Sequence, residues 1–167
     1  MNAIFIGRFQ PFHKGHLKLV KKISKKYRQI IIGIGSSQYH DTSENPFSYE
    51  ERKLMIKRTL EKENIYNFRI VEIPDIHNPP KWVDHVLSIV NSFDIVITNS
   101  SFTKKLFSEK GYKVEDTDLF DRKNYCGKTI RKKIYNNEKW DNLVPESVYK
   151  IIEKIDGINR IKNLSKK

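Results

Sequence analysis

Apolar positions along the chain follow two alternating rhythms. Nearly continuous apolar runs at Ala3 to Gly7, Gln29 to Ile34, Phe68 to Ile73, Phe93 to Thr98 and Tyr112 to Glu115 predict five strands. Between them, apolar residues recur every three or four positions. Leu17, Val20 and Ile23 predict a first helix, and Trp82, Val83, Val86 and Leu87 predict another from Lys81 to Val90. Ser48 with Glu51 three residues later forms a capping box for a helix running to about Leu60. Ser100 or Ser101 opens a helix that Gly111 closes. A further helix is expected from Lys128 to Tyr135, after a loop reaching about Tyr125. Pro145 is expected at the first position of a last helix carrying Val148, Ile151, Ile152 and Ile155.

Strands alternating with helices imply an α/β fold with a doubly wound, parallel, five-stranded sheet, helices on both faces and a short helical C-terminal region. Gln29 to Ile34 is β-branched and almost wholly apolar, as a central strand covered on both faces must be. No repeat, linker or low-complexity tract interrupts residues 1–167, so a single domain is expected. Ligands of such sheets bind beyond the carboxyl ends of the strands. The loops after Gly7, Gly35, Pro74, Thr98 and Glu115 are therefore the candidates.

Composition excludes several classes. With 38% hydrophobic residues among 167, the chain can bury a core. No stretch approaches the ~20 apolar residues of a membrane span, and the N-terminus lacks the pattern of a secretory signal. A lone cysteine, Cys126, has no disulfide partner, so a cytoplasmic location is expected. The formal net charge of +12 is unevenly spread. Eight Lys and Arg precede Asp41 with no Asp or Glu among them, and seven lie between Asp121 and Lys139 against two acidic residues. These windows either converge on one polyanion or form two solvated helix faces.

The densest chemistry lies in Gly7-Arg8-Phe9-Gln10-Pro11-Phe12-His13-Lys14-Gly15-His16. Two imidazoles stand three residues apart where a helix begins, and the helix N-terminus adds free N–H groups and partial positive charge. Gly15 is expected to let a phosphate approach the backbone, and Gly7 to leave room for a base or ribose. A purely structural reading has His13 capping the helix and His16 half-buried. Zinc is set aside, because the pair has no nearby cysteine or carboxylate to complete a ligand set.

The H-x-G-H pattern resembles the nucleotidylyltransferase superfamily, and the whole ten-residue segment is similar to archaeal-type nicotinamide mononucleotide adenylyltransferases. The resemblance runs on through Ile32 to Gln38, Glu44 to Phe47, Glu51-Arg52, Asp75-Ile76, Trp82-Val83, Phe93 to Val96, Leu106-Phe107, Gly111-Tyr112, Arg122, Tyr125, Gly127 and Ile130-Arg131. It implies a Rossmann-like domain that transfers AMP from ATP to the 5′-phosphate of nicotinamide mononucleotide. NAD⁺ and pyrophosphate are formed without a covalent enzyme intermediate. His13, His16, Arg8 and Arg131 would then be catalytic. Gly7, Phe9, Gly15, Tyr125, Gly127, Thr129 and Ile130 would join them in holding ATP.

The acceptor would meet Ser36, Ser37, Gln38, Asn45, Phe47, Arg52, Asp75, Ile76, Trp82 and Val83. Trp82 would stack on the cationic ring, Asp75 and the backbone at Ile76 would read the carboxamide or ribose, and Arg52 would hold the mononucleotide phosphate. The resemblance further implies Mg²⁺ travelling with ATP rather than a protein metal site, a homo-oligomer such as a hexamer, and neither a nucleic-acid nor a membrane partner. The chain departs from the family pattern at Cys126 and Lys128-Thr129, where S-G-T-E-I-R is usual, at His40-Asp41-Thr42, and at Asn99-Ser100. Rival readings keep the fold and reaction with pantetheine phosphate, flavin mononucleotide or glycerol phosphate as acceptor, or make the basic chain a nucleic-acid-binding module.

Overall fold

The structure, a computed structural model, describes residues 1–117 and 121–165. Five parallel strands, β1 (Asn2–Gly7), β2 (Gln29–Gly35), β3 (Phe68–Ile73), β4 (Ile95–Ile97) and β5 (Lys113–Glu115), form one sheet in the order β3-β2-β1-β4-β5. The order reverses between β1 and β4, so a crevice opens beyond their carboxyl ends. Among the described residues, the helices are α1 (Lys14–Lys26), α2 (Tyr49–Lys62), α3 (Trp82–Val90), α4 (Ser101–Glu109), α5 (Gly127–Tyr135), α6 (Glu146–Lys154) and α7 (Gly157–Ser165).

Alternation along the strands divides the core in two. Ala3, Phe5, Ile30, Ile32, Ile34, Ile95 and Ile97 face a cluster with α1, α2, α5, α6 and α7. Ile4, Ile31, Ile73 and Val96 face the opposite cluster with α3 and α4. β2 is therefore buried on both sides, as its unbroken apolar run requires.

Several boundaries differ from the sequence expectation, most by one residue, and four are worth noting. The fourth strand is limited to Ile95–Ile97 because its neighbour β5 offers three pairing residues. α3 begins at Trp82, since Pro79–Lys81 form a 3₁₀ turn ahead of it. Pro145 caps α6 rather than opening it: its extended ψ of 149° makes Glu146 the first helical residue. The C-terminal pattern divides into two helices, with Asp156 in the left-handed region at φ 56° between them. The loop expected to reach Tyr125 lies partly outside the described residues, at 118–120. Among the described residues no helix is long and apolar enough to cross a membrane.

Several cations of the basic windows are paired on the surface. Lys21 meets Glu63, Lys26 meets Glu115, and Lys133 meets Glu138. These fit the solvated-face reading, and each is worth little.

The Ser48 capping box forms as expected: Glu51 N–H donates to Ser48 Oγ at 3.2 Å and Ser48 N–H to Glu51 Oε2 at 2.9 Å. Glu51 also receives a bidentate pair from Arg160 on α7, at 2.7 and 2.9 Å, and Arg160 donates to Pro46 O. Both side chains are about three-quarters buried. The C-terminal helix is thus pinned to the start of α2 and to the loop before it. Arg160→Ala is expected to cost about 1–3 kcal/mol in urea denaturation, since it strands a partly buried carboxylate.

Candidate active site

His13 is the N-cap of α1 and His16 its third residue, and the two close a capping box made of imidazoles. His16 N–H donates to His13 Nδ1 at 3.3 Å, and His13 N–H donates to His16 Nδ1 at 3.2 Å. The rings stack with centroids 3.6 Å apart, and Phe12 lies against His16 on its other side at 5.4 Å. Because each Nδ1 accepts a main-chain N–H, each ring carries its proton on Nε2. Burial lowers the His13 pKa from 6.5 to about 4. Burial and the neighbouring His13 hold His16 well below its ordinary value. At neutral pH both are uncharged donors. They line a cavity of about 270 Å³ with Tyr125, Arg122, Thr98, Asn99, Ser100 and Thr117.

The glycines of this loop serve protein packing. A Cβ at Gly15 would meet Tyr125 Cβ at 2.8 Å and the His13 ring at 3.0 Å. At Gly7 the space is taken by the Phe9 ring, 3.0 Å from where a Cβ would stand, and not by room for a base or ribose. Gln10, 3% exposed beside a cis Gln10–Pro11 peptide, bonds both ways to the Phe47 main chain at 2.9 Å, and its carbonyl accepts from Arg131 Nη1 at 2.7 Å. One buried residue, through its side-chain amide and its main-chain carbonyl, thereby connects the histidine loop, the loop before α2 and the arginine of α5.

Arg52 does not stand where a phosphate could reach it. It is fully buried, and its guanidinium donates to the carbonyls of Arg8, Gly35, Ser36, Ser37, Tyr39 and Ser48. All five N–H groups are committed to main chain. Burial, then nearby Arg8, lowers its pKa to about 10, so it stays charged at neutral pH.

The tip of β3 and the start of α3 form a second cavity of about 280 Å³, bounded by Asp75, Ile76, His77, Asn78, Pro79 and Trp82, and across from them by Phe102 and Thr103 of α4. Ser36 Oγ donates to the Asp75 carboxylate at 2.7 Å, and the Gln38 amide pairs with both main-chain groups of Asp75 at 2.9 Å. Ser36 and Gln38 therefore orient Asp75. A third cavity of about 350 Å³ brings Arg8, Lys128, Arg131 and Lys132 together with Ser43, Glu44, Tyr135 and Ser165.

The chain matches the family model described as cytidylyltransferase-like over residues 4–133. It is 50% identical to the nicotinamide-nucleotide adenylyltransferase of Thermoplasma acidophilum, covering 98% of this chain and 91% of that one. It is 49% identical to the enzyme of the same name from Methanococcus maripaludis strain C6, covering 100% and 97%. The chain belongs to the cytidylyltransferase-like family.

Among solved structures, a bifunctional NMN adenylyltransferase/ADP ribose pyrophosphatase from Francisella tularensis, complexed with AMP and manganese, superposes with a TM-score of 0.82 at 27% identity. The match covers 98% of this chain and 51% of that one, so the chain spans about half of the Francisella protein. A Vibrio parahaemolyticus structure at 13% identity and TM-score 0.68 shares the fold alone.

Within this cytidylyltransferase-like fold, the expected site residues separate into three groups. His13, Gly15, His16 and Tyr125 share one cavity, Asp75, Ile76 and Trp82 a second, and Arg8 and Arg131 a third. Phe9, Phe47, Val83 and Ile130 are buried in the core. The Thr129 hydroxyl donates to Lys123 O at 3.3 Å instead of standing free for a phosphate. Buried Ser37 Oγ and Asn45 Oδ1 have no partner among the described residues.

Gln10, Thr98, Thr117 and Phe102 are not among the residues that the sequence pattern singles out, although Gln10 lies inside the ten-residue motif. Phe102, 56% exposed, has no sequence feature separating it from a core position on an amphipathic helix.

Arg52→Met is expected to lower stability by about 3 kcal/mol or more in denaturant titrations, because it orphans buried carbonyls. A direct phosphate ligand would instead raise KM and leave stability unchanged. The buried histidines give a pH signature. Their folded pKa values lie below the ordinary 6.5, so between pH 6.5 and about 4 the unfolded chain binds protons that the folded chain does not. Thermal midpoints should fall as pH drops through that window, and His13→Gln should flatten the fall.

Proposed function

We propose that residues 1–167 act as one unit that transfers AMP from ATP to nicotinamide mononucleotide, giving NAD⁺ and pyrophosphate. The observation that carries the reading is the His13–His16 pair, held as neutral Nε2–H donors at the switch point of the sheet. The named relatives support the choice of acceptor.

An anionic oxygen of the acceptor's 5′-phosphate forms a bond to the α-phosphorus. The bond from that phosphorus to its bridging oxygen breaks, and the electron pair leaves with pyrophosphate. No side chain needs to take a proton, so positioning and charge stabilisation carry the catalysis. On this reading the histidine cavity takes the nucleotide up to its α-phosphate, and Arg8 and Arg131 meet the phosphates beyond it. The Trp82 cavity takes the pyridinium ring, with the Asp75 carboxylate at its edge.

Among the described residues no three His, Cys, Asp or Glu cluster to hold a metal ion. A divalent cation, which we take to be Mg²⁺, would therefore ride on triphosphate oxygens and water, with Glu44 a carboxylate on the wall of the cavity that holds Arg8 and Arg131. When bound it would offset triphosphate charge.

Pyrophosphate release from ATP should be seen with nicotinamide mononucleotide. Turnover with pantetheine phosphate, flavin mononucleotide or glycerol phosphate in its place would overturn the acceptor assignment. His16→Ala should lower kcat by about 10²- to 10³-fold, as loss of one preorganised donor does. Trp82→Ala should raise KM for nicotinamide mononucleotide by about 5- to 20-fold with little change for ATP, while Trp82→Phe keeps most of the affinity.

A further inference from the structure

We infer that Lys128 and Lys132 are ligands of the pyrophosphate leaving group, completing with Arg8 and Arg131 a four-cation cup for it. The inference rests on the adenylyl-transfer reading and extends it to residues that reading does not need. Lys128 and Lys132 are one helical turn apart on α5, and both line the cavity that holds Arg8 and Arg131. Glu44 is the carboxylate on that wall.

Several cations of the surface are tied to carboxylates, and among the described residues those of this cavity are not. Lys21, Lys26, Lys104, Lys110 and Lys133 each sit on a carboxylate of another element or of the same turn. Among the described residues Arg8, Lys128 and Lys132 make no ion pair, and all three line the same cavity. Four positive groups around one small space repel one another until an anion enters. Arg8 already depresses the pKa of Arg131, after the larger effect of burial. Arg131 is held in place by Gln10 O at 2.7 Å, so the cup has one fork fixed to main chain and three arms exposed to solvent.

The chemistry calls for charge at this end. As the bond from the α-phosphorus to the bridging oxygen breaks, the electron pair moves onto pyrophosphate, and negative charge builds beyond the α-phosphate. A cation there is worth more in the transition state than in the ground state. At Lys128 an ammonium replaces the threonine hydroxyl of the related motif, adding charge on the leaving-group side.

The reverse reaction reads this directly, with NAD⁺ and pyrophosphate as substrates. Lys128→Met should raise KM for pyrophosphate by about 5- to 20-fold while KM for NAD⁺ moves by less than about twofold. Lys128→Arg should retain most of the affinity, and the Lys128→Met/Lys132→Met double variant should lose more than either single one. Calorimetry of inorganic pyrophosphate with Mg²⁺ against the protein alone should show the same ranking without turnover. Unchanged KM and unchanged calorimetric affinity in the double variant would overturn the inference, as would equal losses for NAD⁺ and pyrophosphate. Should the parent protein fail to release pyrophosphate from ATP and nicotinamide mononucleotide, the functional reading falls instead, a result the calorimetry does not share.

Discussion

Two loops from neighbouring strands close over the guanidinium of Arg52, and the geometry of the site depends on that contact. Burying a cation away from water costs several kcal/mol unless its donors are matched. Here the matching comes from the main-chain carbonyls of Arg8, Gly35, Ser36, Ser37 and Tyr39, together with Ser48 of its own helix. Carbonyls at the carboxyl ends of parallel strands point into the loop region and would otherwise go unpaired. One side chain satisfies them and, in doing so, holds the histidine loop against the loop that orients Asp75. The in-line transfer proposed above would need such registration, because a small misplacement of either reactant is expensive in rate.

Gln10 extends the same principle with a neutral group. Its amide joins Phe47 to the histidine loop, and its carbonyl holds Arg131, so α5 is located by the loop it serves. Arg160 secures the far side through Glu51. Buried or half-buried polar side chains bonded to main chain thus connect β1, β2, α2, α5 and α7 around the crevice. The apolar clusters supply the burial on either face of the sheet but do not by themselves specify how the loops meet.

The two kinds of donor that the proposed function assigns to the phosphates differ in charge for a physical reason. The histidines are packed against aromatic rings, where a charge would be poorly solvated, and their capping bonds leave them neutral with the proton on Nε2. Arg8, Lys128 and Lys132 are exposed to solvent, where permanent charge is tolerated. In the proposed transfer, a neutral donor at the reacting phosphate would avoid over-stabilising the triphosphate ground state, and cations at the leaving end would act where charge grows.

The amino-acid sequence determined the order and kind of the elements, because apolar period reports directly which faces are buried. It located the chemistry at Gly7 to His16 and at the start of α5, and the resemblance to adenylyltransferases pointed to the reaction. Only the tertiary structure decided which polar residues of those motifs line a cavity and which hold the fold. Arg52, Ser36, Gln38 and Thr129 read as substrate contacts in one dimension, yet their donors are spent on carbonyls or on Asp75. Phe102 and Lys132 read as ordinary helix positions, yet they line cavities. Hydrogen-bonding capacity is written in the residue type, but whether it is already used depends on partners tens of residues away, and that is settled only when the loops close.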